Sequence, residues 1–398
     1  MGKKKPNAIV GQSGGPTSVI NATLAGVICG ACGNVKKLYG MQNGILGLLK
    51  GEVVDLSNLF NNPRSISLLE NTPGAILGSC RVRMPDDLDS ALYKEIFDVL
   101  DGYGIGYFFY IGGNDSMDTV AKLSAYAKKI SADVSIIGIP KTVDNDLVFT
   151  DHTPGFGSAA KYVATTACEI YEDISSYNIP SVTILEVMGR DTGWLGCACA
   201  LPTNFFGHGC SLVYLPEAEF EIGSFLSDVE RELRYEKPIL IGVSEGVSYG
   251  ARGDEGDSFG HRCLAGVGRS LEKEIKKQFK CKTRTVELNL PQRCATHIGS
   301  LTDAVESKRI GAYSVQMALE GKSGKMSAFV RHAGEYGVDI TDVDAYLVAN
   351  RVKNVPKEFI NSENNFVTAE CVEYLSPLIL GERKVRFEKG LPLHFKLR

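Results

Sequence analysis

Short apolar runs alternate along the chain with longer stretches whose apolar residues recur every three or four positions, the pattern of parallel strands joined by helical crossovers. Residues 8–10, 35–38, 107–111, 134–139, 182–187, 212–214, 239–243 and 285–290 predict strands. Helical spacing fills 116–129 and 157–177, and in the second Val163, Ala167, Ile170 and Ile174 share one face. The fold class this predicts is α/β with mostly parallel sheets.

At 398 residues the chain exceeds what one ordinary core fills, so two domains are expected. Its 44% hydrophobic and 23% charged content is that of a soluble enzyme, and a net charge of −4 supplies no basic field for nucleic acid. Lys3, Lys4 and Lys5 read as a solvated tail. The first residues lack the apolar core of a secretory signal, and no stretch reaches the about 18 apolar residues of a membrane span. A cytoplasmic location, with no membrane partner, is the expectation. The 11 cysteines are odd in number and scattered through apolar segments, which suits reduced, buried thiols. Cys29 and Cys32 have the spacing of a redox or zinc pair, but no matching second pair follows.

The chemistry is written at strand ends, where open α/β sheets bind their ligands. Strand 134–139 runs into Pro140-Lys141-Thr142-Val143-Asp144-Asn145-Asp146, two carboxylates flanking an amide with a lysine close by. That is an acid/base and metal site in miniature. The first strand ends in Gly11-Gln12-Ser13-Gly14-Gly15-Pro16-Thr17 before a helix in which Ala22, Ala25 and Gly26 permit close packing. Backbone N–H groups exposed there suit an anion, although a plain tight turn fits equally well. A second such loop, Gly112-Gly113-Asn114-Asp115-Ser116, opens another helix, with Ser116 or Asp115 as its expected cap. Farther on, Arg190 follows Met188-Gly189 where a guanidinium can hold a phosphate, Glu245 ends the strand 239–243, and Arg284 and Arg293 bracket the predicted strand 285–290. Two glycine loops and a dicarboxylate loop together point to one crevice for a phosphorylated ligand.

In their order and spacing, Gly14-Gly15, Gly112-Gly113 with Asp115-Ser116, the run 141–146, Met188-Gly189-Arg190, Glu245 and Gln292-Arg293 resemble the 6-phosphofructokinases, within them the pyrophosphate-dependent branch. The resemblance covers about residues 7 to 320. It implies two Rossmann-like three-layer domains: 1–155 for the phosphoryl donor, completed by about 285–345, and 156–284 for the sugar phosphate, with 346–398 as a C-terminal segment. It implies transfer from pyrophosphate to the 1-hydroxyl of fructose 6-phosphate, reversibly, with Mg²⁺ as cofactor and a homodimer or homotetramer as the assembly. Asp144 matches the catalytic base. Gly14, Gly15, Arg81, Gly113, Asn114 and Ser116 match donor contacts, and Thr142, Val143, Asp146, Met188, Gly189, Arg190, Glu245, Arg284 and Arg293 match sugar-phosphate contacts. Asn114 and Asp146 are the metal candidates.

Donor choice turns on Asp115 and Lys141, where ATP-dependent members carry glycine. A side chain at Asp115 fills the space of a nucleotide α-phosphate, and Lys141 neutralises a phosphate leaving group. Against the family pattern, Asn114 stands where aspartate is common, Leu290 where histidine or tyrosine is common, and residues 176–181 lack the arginine lent across a subunit interface. Ala25 and Cys29 replace effector-binding arginines of the bacterial ATP enzymes, so nucleotide control is not expected. Within the class, an ATP-dependent phosphofructokinase and a sedoheptulose-7-phosphate kinase are the alternatives. A non-catalytic sugar-phosphate-binding regulatory paralogue is the alternative outside it. A dinucleotide dehydrogenase is disfavoured further, since the fingerprint glycines and the acidic ribose ligand are absent.

Overall fold

A computed structural model describes residues 5–177, 179–249 and 266–397, so the lysine tail at Lys3 and Lys4 lies outside the described residues. Eleven strands enter the two main sheets. They are β1 Asn7–Gln12, β2 Leu38–Met41, β3 Val53–Asp55, β4 Ile105–Gly112, β5 Ser135–Pro140, β6 Ser181–Val187, β7 Cys210–Tyr214, β8 Pro238–Ser244, β9 Lys282–Glu287, β10 Lys325–Arg331 and β11 Val338–Asp344. The first sheet runs β11-β10-β5-β4-β1-β2-β3, and the second runs β7-β8-β6-β9. All pairs of the second sheet are parallel, and the first is antiparallel only at its two edges, β2–β3 and β10–β11.

Both sheets are covered on both faces, as parallel sheets require. Along β1 and β4, Ala8, Val10, Phe109 and Ile111 face one apolar cluster, while Ile9, Phe108 and Tyr110 face the other. The same alternation sends Leu185 and Val187 to one side of the second sheet and Val182 and Ile184 to the other. Helix Ile20–Ala31, which carries the first glycine loop, packs on helix Leu301–Leu319 with backbones in contact. A Cβ at Gly26 would sit 2.0 Å from the Lys308 carbonyl oxygen, so only glycine fits there.

Two strand expectations shift. Residues 35–38 turn into β2 only at Leu38, because Val35 still closes the preceding helix through its N–H to the Ala31 carbonyl. The strand expected at 285–290 is Lys282–Glu287, paired with β6 from Lys282↔Ser181 to Glu287↔Glu186. Arg284 therefore lies inside a strand and not before one. A boundary between 284 and 285 cuts β9, whose whole length belongs to the second sheet.

The C-terminal segment crosses both sheets. Asn365 accepts from Val213 N–H at one end, Arg383 donates to the Ser18 carbonyl, and the Phe395 ring packs on Phe60 at 4.7 Å. No helix among the described residues is long and apolar enough to cross a membrane. The described cysteines form no disulfide, but Cys29, Cys32 and Cys294 are exposed, contrary to the expectation of uniformly buried thiols.

Candidate active site

Register alone aligns the three loops of the first sheet. Gln12 of β1 pairs with Ile111 of β4, and Gly112 pairs with Pro140 of β5, so the three strands end side by side. From β1 the chain crosses to β2 on one side and places β4 on the other, which opens a crevice between the carboxyl ends of β1 and β4. Into it run residues 13–17, 113–116 and 141–146.

Lys141 is the link between these loops. Its N–H bonds to the Gly112 carbonyl at 2.9 Å, and its Nζ donates to the Gly15 carbonyl at 2.6 Å. Gly14 turns with φ +73, a conformation L side chains avoid, and a Cβ there would stand 3.2 Å from that same Nζ. Ser79 Oγ donates to the Gly14 carbonyl at 2.7 Å, and Ser13 Oγ to that of Cys80 at 3.3 Å, laying the segment before Arg81 along the loop. Burial pushes the Lys141 ammonium down to about 8, against the pull of Asp144 and Asp146, with Arg293 and Arg81 lowering it further.

Beyond Lys141 the chain turns back on itself. Asp144 N–H donates to Thr142 Oγ1 at 3.1 Å, Thr192 Oγ1 to the Asp144 carbonyl at 3.1 Å, and Asn145 holds a left-handed φ of 54 between the two carboxylates. Burial raises the Asp144 carboxyl above its ordinary value, opposed by Lys141, Thr142 and Arg190. Asp146 is pushed up to about 7 by burial and then by Asp144. Its Oδ1 is buried without a hydrogen-bond partner.

The second sheet faces this cluster with its own strand ends. Val187 of β6 pairs with Ser244 of β8, so Met188, Gly189 and Arg190 emerge beside Glu245. Met188 N–H donates to Gln292 Oε1 at 3.2 Å and Gly189 N–H to Glu245 Oε1 at 3.5 Å. Burial raises Glu245 to about 7, with Arg190 and Asp144 close enough to act on it. Arg293, from short helix Pro291–Cys294, crosses to the first sheet, where a Cβ on Gly15 would lie 3.1 Å from its Nη1. Gly14, Gly15, Lys141, Thr142, Val143, Asp144, Asp146, Met188, Gly189, Arg190, Glu245 and Arg293 thus meet across one crevice.

Several expectations fail or change. Helix Asn114–Lys129 is capped at Gly113 with no side-chain bond, so neither Asp115 nor Ser116 caps it. Asp115 instead projects, exposed, from the first helical turn, where a negative charge favours the helix dipole. Ser116 is buried over Gly112, whose added Cβ would lie 1.9 Å from its Oγ. Asn114, a metal candidate, is hydrogen-bonded to the C-terminal segment. Its amide oxygen accepts the N–H of Asn350 and its Nδ2 donates to the Arg351 carbonyl at 2.5 Å, a two-way bond that a carboxylate cannot make. Arg284 does not join the crevice. It lines a separate cavity of about 300 Å³ with Thr166, Glu169, Asp173 and Thr183. Leu290 is 56% exposed and adds no polar contact.

The sequence reading also missed residues that the fold delivers. Thr192 lies 48 positions from Asp144 and has no motif. Lys353 is half-buried under the 144–146 turn, its Nζ bonding Asn145 Oδ1 at 3.3 Å, and desolvation lowers it to about 8. Nothing around Lys353 in the chain distinguishes it from a surface lysine.

A sequence profile of the family described as Phosphofructokinase matches residues 7–318. A pyrophosphate–fructose 6-phosphate 1-phosphotransferase of Halomonas elongata is 39% identical, over 98% of this chain and 96% of that protein. One of the same name from Xanthomonas campestris is 36% identical over 98% and 96%. The crystal structure of a pyrophosphate-dependent phosphofructokinase from Marinobacter aquaeolei superposes with a TM-score of 0.88 at 37% identity, covering 98% of this chain and 95% of that one.

Proposed function

The chain belongs to the phosphofructokinase family, and from that premise we propose that it transfers a phosphoryl group reversibly between pyrophosphate and the 1-hydroxyl of fructose 6-phosphate. The observation that carries this reading is Lys141, a buried ammonium bonded to the Gly15 carbonyl and set three residues before Asp144. A cation at the floor of a glycine loop suits a leaving group that is itself phosphate, with no nucleoside to anchor it.

In this reading the donor lies along Gly14, Gly15, Arg81 and Gly113, while Arg190 and Glu245 hold the sugar phosphate. Asp144, with a carboxyl raised by burial above its ordinary value, takes the proton of the sugar 1-hydroxyl as that oxygen bonds to phosphorus. The bridging P–O bond of pyrophosphate breaks, and Lys141 neutralises the departing phosphate. Such transfer is loose, so positioning and charge supply most of the rate. Arg293, reaching Gly15 from the second sheet, neutralises charge where the two substrates meet.

The residues fit Mg²⁺ of the kind held by one or two carboxylates and substrate phosphates. Asp146, with its unpartnered Oδ1, and Asp144 would be its protein ligands, while the Asn114 amide is already bonded to residues 350 and 351. Bound there, the ion offsets charge on the transferring group. Among the described residues no group of three histidines, cysteines or carboxylates is placed to hold a metal ion by itself.

Arg284 serves the sugar 6-phosphate only if its cavity faces the crevice of a second copy, which favours a homodimer or homotetramer. We also infer a cytoplasmic location from the family reading; separately, no helix among the described residues is long and apolar enough to cross a membrane. A coupled assay crossing pyrophosphate and ATP with fructose 6-phosphate and sedoheptulose 7-phosphate tests the proposal. Pyrophosphate with fructose 6-phosphate should give the highest kcat/KM, and faster turnover with ATP would refute the donor assignment.

A further inference from the structure

Two C-terminal side chains converge on the amide between the two active carboxylates. Asn145 is fully buried, its Oδ1 accepts from Lys353 Nζ at 3.3 Å, and its Nδ2 donates to Tyr374 Oη at 2.9 Å. Tyr374 Oη in turn donates to the Asp151 carbonyl at 2.7 Å. Lys353 also donates from Nζ to the carbonyls of Thr150 (3.2 Å) and Asp151 (2.7 Å), and from its N–H to that of Asp146 at 2.8 Å. One side chain thus ties both ends of the turn that begins at Asp144.

Lys353 is itself held from outside the turn. Its carbonyl accepts from Trp194 Nε1 at 2.9 Å, and its ammonium lies 5.2 Å from the Trp194 ring centre. Upstream, the Asn114 amide grips the backbone at Asn350 and Arg351, and Asn350 Nδ2 reaches Asp118 Oδ1 at 3.4 Å. The amide at 114, unexplained as a metal ligand, fits this task because it must donate and accept at once.

We propose that Lys353 is a positioning residue for phosphoryl transfer, fixing Asn145 in its left-handed turn so that Asp144 and Asp146 meet the sugar hydroxyl in reacting geometry. The Lys353 ammonium bonds Asn145, Thr150 and Asp151, residues of the segment that carries the reacting carboxylates, so its removal acts first on the placing of the reacting atoms. This rests on the phosphotransferase reading above.

The test is steady-state kinetics on the full chain and its K353M, K353Q and K353R variants with pyrophosphate and fructose 6-phosphate, alongside thermal unfolding. Misplacement of a catalytic group by about 1 Å costs on the order of 100-fold. K353M and K353Q should therefore lose about 100-fold in kcat with KM for pyrophosphate within about threefold, and K353R should recover at least about tenfold of that loss. A folded K353Q that retains kcat within about threefold overturns the proposal, as does K353R no better than K353M when both are folded. If none of the three folds, Lys353 serves the fold and the proposal falls. A parent chain inactive with pyrophosphate sinks the functional reading and this inference with it; an active parent with insensitive variants sinks only this inference.

Discussion

At the scale of single residues, the crevice is governed by how burial changes charge. Lys141 is an ammonium moved from 10.5 to about 8, and a donor of two phosphates needs it protonated. Below that pH the cation is present; as pH rises through it the cation is lost. We therefore expect Lys141 to impose no loss of kcat/KM for pyrophosphate below about pH 8 and a fall of about tenfold per unit above it. On the acid side Asp144, Asp146 and Glu245 are all raised, the last two to about 7, so the profile should also fall below about pH 7 as a coupled set and not as one titration. A pH profile measured from 5 to 10 checks both limbs. Substitution sharpens the same point. Lys141→Gly should lower pyrophosphate turnover by about 100- to 1,000-fold, the scale of losing one electrostatic stabiliser, and adding Asp115→Gly should recover some ATP use. Unchanged pyrophosphate turnover in the single variant would remove Lys141 from the leaving-group role. These residues were legible in the sequence because their chemistry is local: glycines, a lysine and carboxylates within a few positions of a strand end. Asn114 was legible as a departure but not in its purpose, since its partners at 350 and 351 lie more than 200 positions away.

Among the elements, the strands that carry the crevice were legible, and the edges only in part: β7 was expected at 212–214, but β9 was misplaced. β1, β4, β5, β6 and β8 are continuous apolar runs because both faces of each are buried, and such runs announce themselves. The edge strand β9, with the sequence Lys-Thr-Arg-Thr-Val-Glu, is only half-buried, so its polar positions drew the expected strand three residues too far along. β11 went unseen for the same reason: at the sheet margin it is exposed at Asp339 and Thr341 and half-buried at Asp342, Val343 and Asp344, whereas β10 is an interior strand, buried from Met326 to Phe329, whose short apolar run is broken by Ser327. Helix packing is a further case where local sequence gives a hint and the fold gives the magnitude. Gly26 and Gly311 sit where the backbones of helices Ile20–Ala31 and Leu301–Leu319 touch, and a Cβ at Gly311 would lie 2.2 Å from the Thr23 carbonyl oxygen. Gly26→Ala should destabilise the protein by about 2–3 kcal/mol, the usual cost of forcing volume into a closed contact. Gly223→Ala, at a helical position with open space around the added methyl, should change stability by less than about 1 kcal/mol. Denaturant unfolding of the two variants makes the comparison. Because the first helix carries the loop at Gly14 and Gly15, a shift of its axis in Gly26→Ala should appear as a raised KM for pyrophosphate before any change at the sugar.

For the whole molecule, the C-terminal segment and the cavity at Arg284 extend the site beyond the two sheets. The segment braces both sides of the crevice: Lys353 under the 144–146 turn, and Arg383 donating to the carbonyls of Ser18 and Glu70 behind the glycine loop. Arg284 poses the opposite case, a cation matched to a sugar phosphate by its place in the family pattern yet lining a cavity that none of the crevice residues share. A cation so placed serves catalysis only if symmetry brings it to another copy's crevice, since in a two-fold dimer each subunit's patch meets its partner's. Mixing two inactive variants decides this. Asp144→Ala subunits lack the base but keep Arg284, and Arg284→Ala subunits keep the base. If the phosphate contact crosses the interface, each mixed dimer regains one complete site while the other lacks both residues. Refolding or coexpressing the two in equal amounts should then restore about a quarter of parental activity, because half of the dimers are mixed and half of their sites are whole. If Arg284 acted within its own chain, every site in the mixture would still lack one residue and the activity would stay at the level of the separate variants.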